Sequence, residues 1–417
     1  MLRYAVVLNA LLTVSAARAE AEVPNFGIPT TGEFIPALRS FDDTIVSYMQ
    51  RRGIPGGSFA LVDNGKLIYA RGYGFADREA KTPVQPTSLF RLASVSKPIT
   101  SAAIMTLVEA HALDLDAKVL DLLKVEPFLK PGQHEDPRIR DITVRNLLQH
   151  CGGWNRDASG DIMFKHFQIA EEMGIASPPD HASLLRWGFA QPLDFAPGSR
   201  YAYSNFGYCV LGRVIEKVSG QPYEEYVRKH VLQPAGIHDM RIGNARRSER
   251  LQNEVVYYIE KDATGRNVMS ADGPDPVAIP YGFASPHTMD AHGGWIGSAV
   301  DLAHFAIALD RPATPPLLSP ESLAALIARP APPMGLTKTG TPIAAYYGLG
   351  WSVRPQKDGK ANVWHNGSMA GTSSLFVRLA NGLTWAVLFN QRADAQGKDN
   401  IDTLLHEAAA KVTTYPW

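Results

Sequence analysis

Two cysteines in 417 residues, Cys151 and Cys209, exclude a disulfide scaffold. One bridge between them, or two small buried hydrophobes, are the readings that remain, and sequence spacing does not choose between them. A charge bias is also missing. With 41 Lys+Arg against 41 Asp+Glu, nothing pulls the chain toward nucleic acid, anionic lipid or polycations. Beyond the N-terminus no apolar run is long enough to span a bilayer, and no repeat of solenoid or propeller length is present. Gly-x-Ser-x-Gly is absent, which removes one common origin of a serine nucleophile, and so is a His-Glu-x-x-His zinc helix. Apolar material is plentiful: 45% hydrophobic against 20% charged residues supply a large core and exclude a disordered chain.

Residues 1–19 read as a signal peptide. Arg3 gives the positive start, Tyr4 to Ala17 is largely apolar, and Ala17-Arg18-Ala19 has the small-x-small form of a cleavage site. The mature chain is expected to begin near Glu20, secreted or periplasmic, with no membrane span after cleavage. An uncleaved anchor is the alternative, weakened by Asn9, Thr13 and Ser15 within the run.

Leu38, Phe41, Ile45 and Tyr48 or Met49 have helical spacing over 36–52, stopped by Gly53 and Pro55. From Ser58 to Tyr73 the pattern is that of a hairpin turning at Asn64-Gly65, a pair suited to two positive φ angles. Residues 95–330 are helix-dominated. Ile99 to Val108 is apolar nearly all round, which predicts a buried helix, and Ser298 with Asp301 reads as a capping box opening a helix through Leu309. Strands return at 350–353, Ser373 to Val377 and Thr384 to Phe389, before a last helix from Ile401 to Lys411. The expected fold is α+β: an antiparallel sheet formed from both chain ends, flanked by helices, with a large inserted helical subdomain. The catalytic domain is placed at 20–417, its sheet part at about 36–92 and 346–417 and its helical part at about 93–345.

Three segments carry chemistry. Ser94-Val95-Ser96-Lys97 sits at the entrance of the buried helix, where positions i and i+3 share a face and the amine can take the hydroxyl proton. Apolar surroundings lower an amine pKa, and Pro98 is tolerated only in a first helical turn, which fixes Ser94 near free backbone N–H groups. Tyr203-Ser204-Asn205 precedes a helix with an apolar face at Phe206, Val210, Leu211, Val214 and Val218. A tyrosine there can pass protons, and Asn205 can orient Lys97 or a substrate carbonyl; an N-cap at Ser204 with packing aromatics is the structural alternative. His365-Asn366-Gly367-Ser368 leads into the strand from Ser373, and its glycine lets backbone approach a ligand. Lys338-Thr339-Gly340 competes for this third position but lies among prolines in a loop.

His287, Asp290 and His292 suit zinc as residue types but sit in a loop beside Gly293-Gly294, so no metal is assigned. His150 next to Cys151 is a poor thiol dyad, because adjacent side chains rarely face each other. The segments Asn155 to Ser177 and Leu251 to Asp275 read as loops. Trp154, Phe164, Phe167, Tyr257 and Tyr258 are either pocket walls or packing aromatics.

Taken in order, the three segments resemble the serine β-lactamase and penicillin-binding-protein superfamily. The likeness is to its class C β-lactamase-related branch of D-alanyl-D-alanine carboxypeptidases, D-amino-acid peptidases and esterases. Gly53-Ile54-Pro55-Gly56, Gly72-Tyr73-Gly74, Leu89-Phe90-Arg91, Leu147-Leu148-Gln149-His150, Gly293-Gly294-Trp295 and Tyr347-Gly348-Leu349-Gly350-Trp351 add to the likeness. The resemblance implies Ser94 as the acylated nucleophile, Lys97 as its base and Tyr203 as the second proton carrier. It implies the backbone N–H groups of Ser94 and Ser368 as the oxyanion hole, with Asn205, His365 and Gly367 binding substrate. No cofactor is implied. Histidine in place of lysine at residue 365 removes a permanent attraction for a substrate carboxylate, so efficient β-lactam hydrolysis is not expected. Hydrolysis of a small-molecule ester, an amide or a D-amino-acyl peptide comes first, with β-lactamase or carboxypeptidase activity as the alternative. A non-catalytic binder of peptidoglycan or peptide on the same fold is the alternative of another class.

Overall fold

The computed structural model describes residues 24–417 apart from 260, 262, 274, 311–315, 338, 393–398, 414, 416 and 417. The signal-peptide segment and Lys338 therefore lie outside the described residues.

A nine-stranded antiparallel sheet organises the chain. Its strands are β1 (Thr30–Thr31), β2 (Gly56–Asp63), β3 (Lys66–Asp77), β4 (Tyr346–Tyr347), β5 (Ser352–Pro355), β6 (Ala361–Met369), β7 (Thr372–Arg378) and β8 (Leu383–Phe389). The order is β1-β3-β2-β8-β7-β6-β5-β4, with the short strand Thr82–Pro83 added beside β3. The seam between the two chain ends is the β2/β8 pair, running from Leu383 opposite Asp63 to Phe389 opposite Gly57. The expected assembly of one sheet from both termini is what the chain adopts. Asn64 and Gly65 turn the first hairpin with φ of 46° and 73°, the left-handed pair that the sequence suits.

Both faces of the sheet are covered, so its central strands carry runs that are apolar on consecutive residues, Phe59–Val62, Leu375–Val377 and Trp385–Phe389, rather than on alternate ones. Ala60, Val62, Phe376, Ala386 and Leu388 join one buried cluster, while Phe59, Leu61, Val377, Trp385 and Val387 join the other. Helices α1 (Arg39–Arg52) and α5 (Ile401–Ala410) belong to the second cluster. Buried Asp42 of α1 ties it to β3, accepting from Tyr69 Oη at 2.6 Å, Tyr73 Oη at 2.8 Å and Arg71 Nε at 3.3 Å. Truncating a fully buried aromatic such as Phe59 to alanine removes about 3–5 kcal/mol.

On the opposite face lie α2 (Ser96–Glu109), α3 (Asn205–Ser219) and α4 (Ala299–Asp310). The capping box at the start of α4 is formed: Ser298 N donates to Asp301 Oδ2 at 2.8 Å and Asp301 N to Ser298 Oγ at 3.0 Å. Helix α2 is buried from Ser96 to Met105 and again at Leu107, as its all-round apolarity requires.

Three features depart from the sequence reading. The helical excursion carries a small sheet of Phe90–Arg91, Trp295–Gly297 and Arg241–Ile242, strands too short to show a period. Residues 155–177 are not an open loop but contain a helical turn at Arg156–Ser159, a 3₁₀ turn at Ile162–Phe164 and a helix at His166–Met173. The segment with His287 and His292 is a helix, Pro286–Met289, running into a π turn at Asp290–Gly294. Both cysteines are free and buried, which settles the pairing question in favour of two small core residues.

Candidate active site

Helix α2 is entered through a 3₁₀ turn, Ala93–Val95, that sets half-buried Ser94 against Gly367 of β6. Ala93 holds φ at +46°, a conformation costly for a residue with a Cβ and one that persists where the surroundings over-determine it. Lys97, one turn on, is fully buried. Its Nζ has three partners: Asn205 Oδ1 at 2.8 Å, the His292 carbonyl oxygen at 2.8 Å and Ser94 Oγ at 3.2 Å. Burial is the largest influence on this amine and pushes its pKa well below 10.5. A neutral amine has two N–H donors and one lone pair. In that form the two carbonyl-type oxygens, which can only accept, take both donors and leave the lone pair for the Ser94 hydroxyl.

Tyr203 Oη lies 2.8 Å from Ser94 Oγ, and burial raises its pKa above the ordinary phenol value. Tyr203 Oη is the donor to Ser94 Oγ. A hydrogen-bonded line therefore runs from Tyr203 through Ser94 to Lys97. Ser204 caps α3 as expected, accepting from Gly207 N at 3.1 Å, and this fixes where Tyr203 leaves the chain and Asn205 enters the helix.

Asn205 Nδ2 donates to Asp161 Oδ2 at 2.7 Å, which orients the amide so that its oxygen faces Lys97. Asp161 itself caps the 3₁₀ turn through Met163 N at 3.1 Å. Sequence reasoning missed Asp161. His150, which the sequence offers only as a poor thiol dyad and as part of a family landmark, stands at the site: its Nδ1 accepts from Ser204 N at 3.1 Å and its ring lies 4.3 Å from that of Tyr203. Arg156, again unanticipated, places its guanidinium carbon 4.4 Å from the Tyr203 ring centroid.

On β6, Val363, His365 and Gly367 point to the buried side, while the Ser368 side chain is exposed. Only the backbone of Ser368 is thus suited to a role at Ser94. Gly367 is demanded by close approach: a Cβ there would stand 3.1 Å from Ser94 N and collide with the Leu92 carbonyl oxygen and Ser374 Oγ. His365 is buried, and both of its nitrogens are occupied. Nδ1 lies 2.8 Å from the Asn366 carbonyl oxygen, which can only accept, so Nδ1 carries the proton and Nε2 accepts from Tyr347 Oη at 2.9 Å. Burial first, and the Lys97 charge second, push its pKa down to about 3, so the imidazole is neutral at pH 7.

The remaining sequence candidates lie elsewhere. Asp290 is ion-paired with buried Arg213 at 2.6 Å, His287 meets Asn244 Oδ1 at 3.1 Å, and no group of three metal-ligating side chains occurs among the described residues. Thr339 and Gly340 belong to a turn closed by Gly340 N on the Thr337 carbonyl at 2.9 Å. Trp154 is core, packed edge-on against Phe206 at 4.8 Å. Tyr257 and Tyr258 are buried, and Phe167 lies under Arg266 at 3.7 Å. Phe164 is exposed beside the cleft.

Residues 41–410 match the Beta-lactamase family. The chain belongs to that family. A family member 35% identical over 195 residues is Esterase EstB of Burkholderia gladioli, the match covering 46% of this chain and 48% of the esterase. Penicillin-binding protein 4* of Bacillus subtilis (strain 168) is 27% identical over 346 residues, 82% of this chain and 69% of that protein. The chain thus spans only about half the length of EstB in the matched region. The octameric penicillin-binding protein homologue from Pyrococcus abyssi has the same fold, with a TM-score of 0.66 and 25% identity over 89% of this chain and 76% of that one. These likenesses place the chain in the serine β-lactamase and penicillin-binding-protein superfamily.

Proposed function

We propose that the protein hydrolyses uncharged esters, and next to them D-amino-acyl amides or peptides, through an acyl-enzyme on Ser94. The hydrogen-bonded line Tyr203–Ser94–Lys97 carries this reading. Ser94 Oγ attacks the carbonyl carbon as its proton passes to Lys97 Nζ. Backbone N–H groups of Ser94 and Ser368 hold the oxyanion, an arrangement worth about 2.7–4 kcal/mol per donor. The leaving oxygen or nitrogen takes the Tyr203 proton, and the proton on Lys97 restores the phenol. Water then attacks the acyl ester, giving one proton to the base and releasing the acid, and the base returns that proton to Ser94 Oγ.

The ester preference rests on His365. The imidazole proton is committed to the Asn366 carbonyl oxygen and its pKa lies at about 3, so His365 itself offers no cation to a carboxylate. Carboxylate-bearing β-lactams and D-alanyl-D-alanine peptides are therefore the less favoured alternatives. Similarity to an esterase over half of its length points the same way. Export, through cleavage near Ala19, is part of the proposal, and N-terminal sequencing of the mature protein tests it.

Labelling with a fluorophosphonate probe followed by peptide mass mapping tests the chemistry. Modification of Ser94, and loss of ester turnover in Ser94→Ala, are expected. Label on another residue, or undiminished turnover in Ser94→Ala, would overturn the reading. A panel of 4-nitrophenyl esters, D-alanyl dipeptides and a chromogenic cephalosporin ranks the substrate classes.

A further inference from the structure

Five large hydrophobic side chains stand exposed among the described residues: Leu129, Phe164, Ile175, Tyr201 and Phe283. Two of them, Phe164 and Phe283, line one cleft of about 840 Å³ together with Ser368-Met369-Ala370 at the end of β6 and with Arg51, Arg52, Arg91 and Arg392. Tyr201 lines a second hollow of about 240 Å³, shared with Tyr347 and Trp364. Along β6 the smaller hollow lies at Trp364 and the larger beyond Ser368. Gly367, which packs against the Ser94 turn, comes between them.

Chemistry assigns the two. A leaving group must take its proton from Tyr203, so it must lie among the rings around Tyr203. Those rings are His150, at 4.3 Å from Tyr203, and Tyr201 and Tyr347, at 5.9 Å and 4.5 Å from His150. Tyr201 and Tyr347 are walls of the smaller hollow. The acyl group, on the other side of the carbonyl carbon, is then directed past Ser368 into the larger cleft. There Phe164 sits three residues after Asp161, the residue that orients Asn205, so the same turn that organises the base also supplies the wall.

We infer that the enzyme selects its substrates by their acyl half: a bulky apolar acyl group, aromatic or medium-chain, held between Phe164 and Phe283, joined to a small alcohol. The inference rests on the serine-hydrolase reading of Ser94 and adds the substrate class. A cleft of this volume takes a drug-sized group, and exposed phenylalanines gain by its burial. The hollow on the alcohol side has about 240 Å³.

The test is the kcat/KM series for 4-nitrophenyl acetate, butyrate, octanoate and 3-phenylpropanoate. The octanoate and phenylpropanoate are expected to exceed the acetate by about tenfold or more. In Phe164→Ala and Phe283→Ala the octanoate-to-acetate ratio should fall by about tenfold, while Leu129→Ala, at an exposed site outside both hollows, leaves the ratio unchanged. Phe283→Trp, which fills the cleft, should turn the preference toward the acetate. A series that is flat or falls with acyl length in the wild type, or ratios unmoved in all three phenylalanine variants, overturns the assignment. Mass detection of acyl-Ser94 with each ester separates the two levels. Acylation by acetate with a flat series sinks the subsites alone, whereas no acylation by any ester sinks the hydrolase reading beneath them.

Discussion

Tyr203 Oη and Ser94 Oγ, 109 residues apart in the chain, lie 2.8 Å from each other, and the phenol is the donor. That direction leaves the serine proton for the lone pair of Lys97 in its neutral form. Tyr203→Phe keeps the ring against His150 and removes only this donor. Its kcat/KM is expected to fall by about 10²–10⁴-fold with little change in thermal stability, because both protonation of the leaving group and orientation of Ser94 are lost. Steady-state kinetics and a melting curve check this. An active phenylalanine variant would move the proton donor elsewhere.

Lys97 sets the acid limb of the rate profile. The amine is a base only when neutral, and burial lowers its pKa well below 10.5. Activity should therefore rise with pH through that lowered pKa and level off short of the ordinary lysine range. The same shift has a stability consequence. Between the folded and unfolded pKa values the unfolded chain binds more protons, so stability rises with pH across that window, and Lys97→Met loses this slope. Lys97→Arg, which cannot give up its proton, should be inactive at every pH. Measured pH profiles of kcat/KM and of melting temperature test both statements.

Much of this site was legible because its signals are local. Pro98 marks the first turn of α2, Ser204 caps the helix that bears Asn205, and Asn64-Gly65 with Ser298/Asp301 set the hairpin and the start of α4. Each is an interaction within a few residues, so residue type alone reports it. What escaped is non-local. Asp161 meets Asn205 across 44 residues, and the His292 carbonyl reaches Lys97 across 195. A carbonyl carries no side-chain signature at all. The π turn that delivers it, Asp290–Gly294, has no periodicity to read, and the turns Arg156–Ser159 and Ile162–Phe164 are each too brief to show an amphipathic face.

Asp161 offers a test of that hidden contact. Asp161→Asn keeps the shape but leaves one amide oxygen to serve both Asn205 Nδ2 and Met163 N, so one donor is left unmet at about 1–3 kcal/mol. Asn205 then loses its fixed orientation, and kcat/KM should fall by about tenfold or more. A readout beyond packing is available. The Asp161 charge raises the Lys97 pKa, so its removal should move the acid limb of the rate profile to lower pH. An unmoved limb with normal kcat/KM would leave Asp161 as a helix cap only.

The cysteines complete the separation of structure from chemistry. Burial pushes the Cys151 thiol up to about 11 and the Cys209 thiol up to about 12. The thiolate is the reactive species, so at pH 7 both side chains are inert as well as shielded. Cys151 is further held by its own neighbourhood, with Sγ 3.3 Å from the Asn146 carbonyl oxygen, and it is not turned toward His150, whose Nδ1 is taken by Ser204 N. Iodoacetamide should therefore leave native protein unmodified and active, and add two carbamidomethyl groups only after denaturation; dithiothreitol should not alter the melting temperature. Mass spectrometry of both states measures this, and labelling of Cys151 in the native protein with loss of turnover would revive a thiol role at the site.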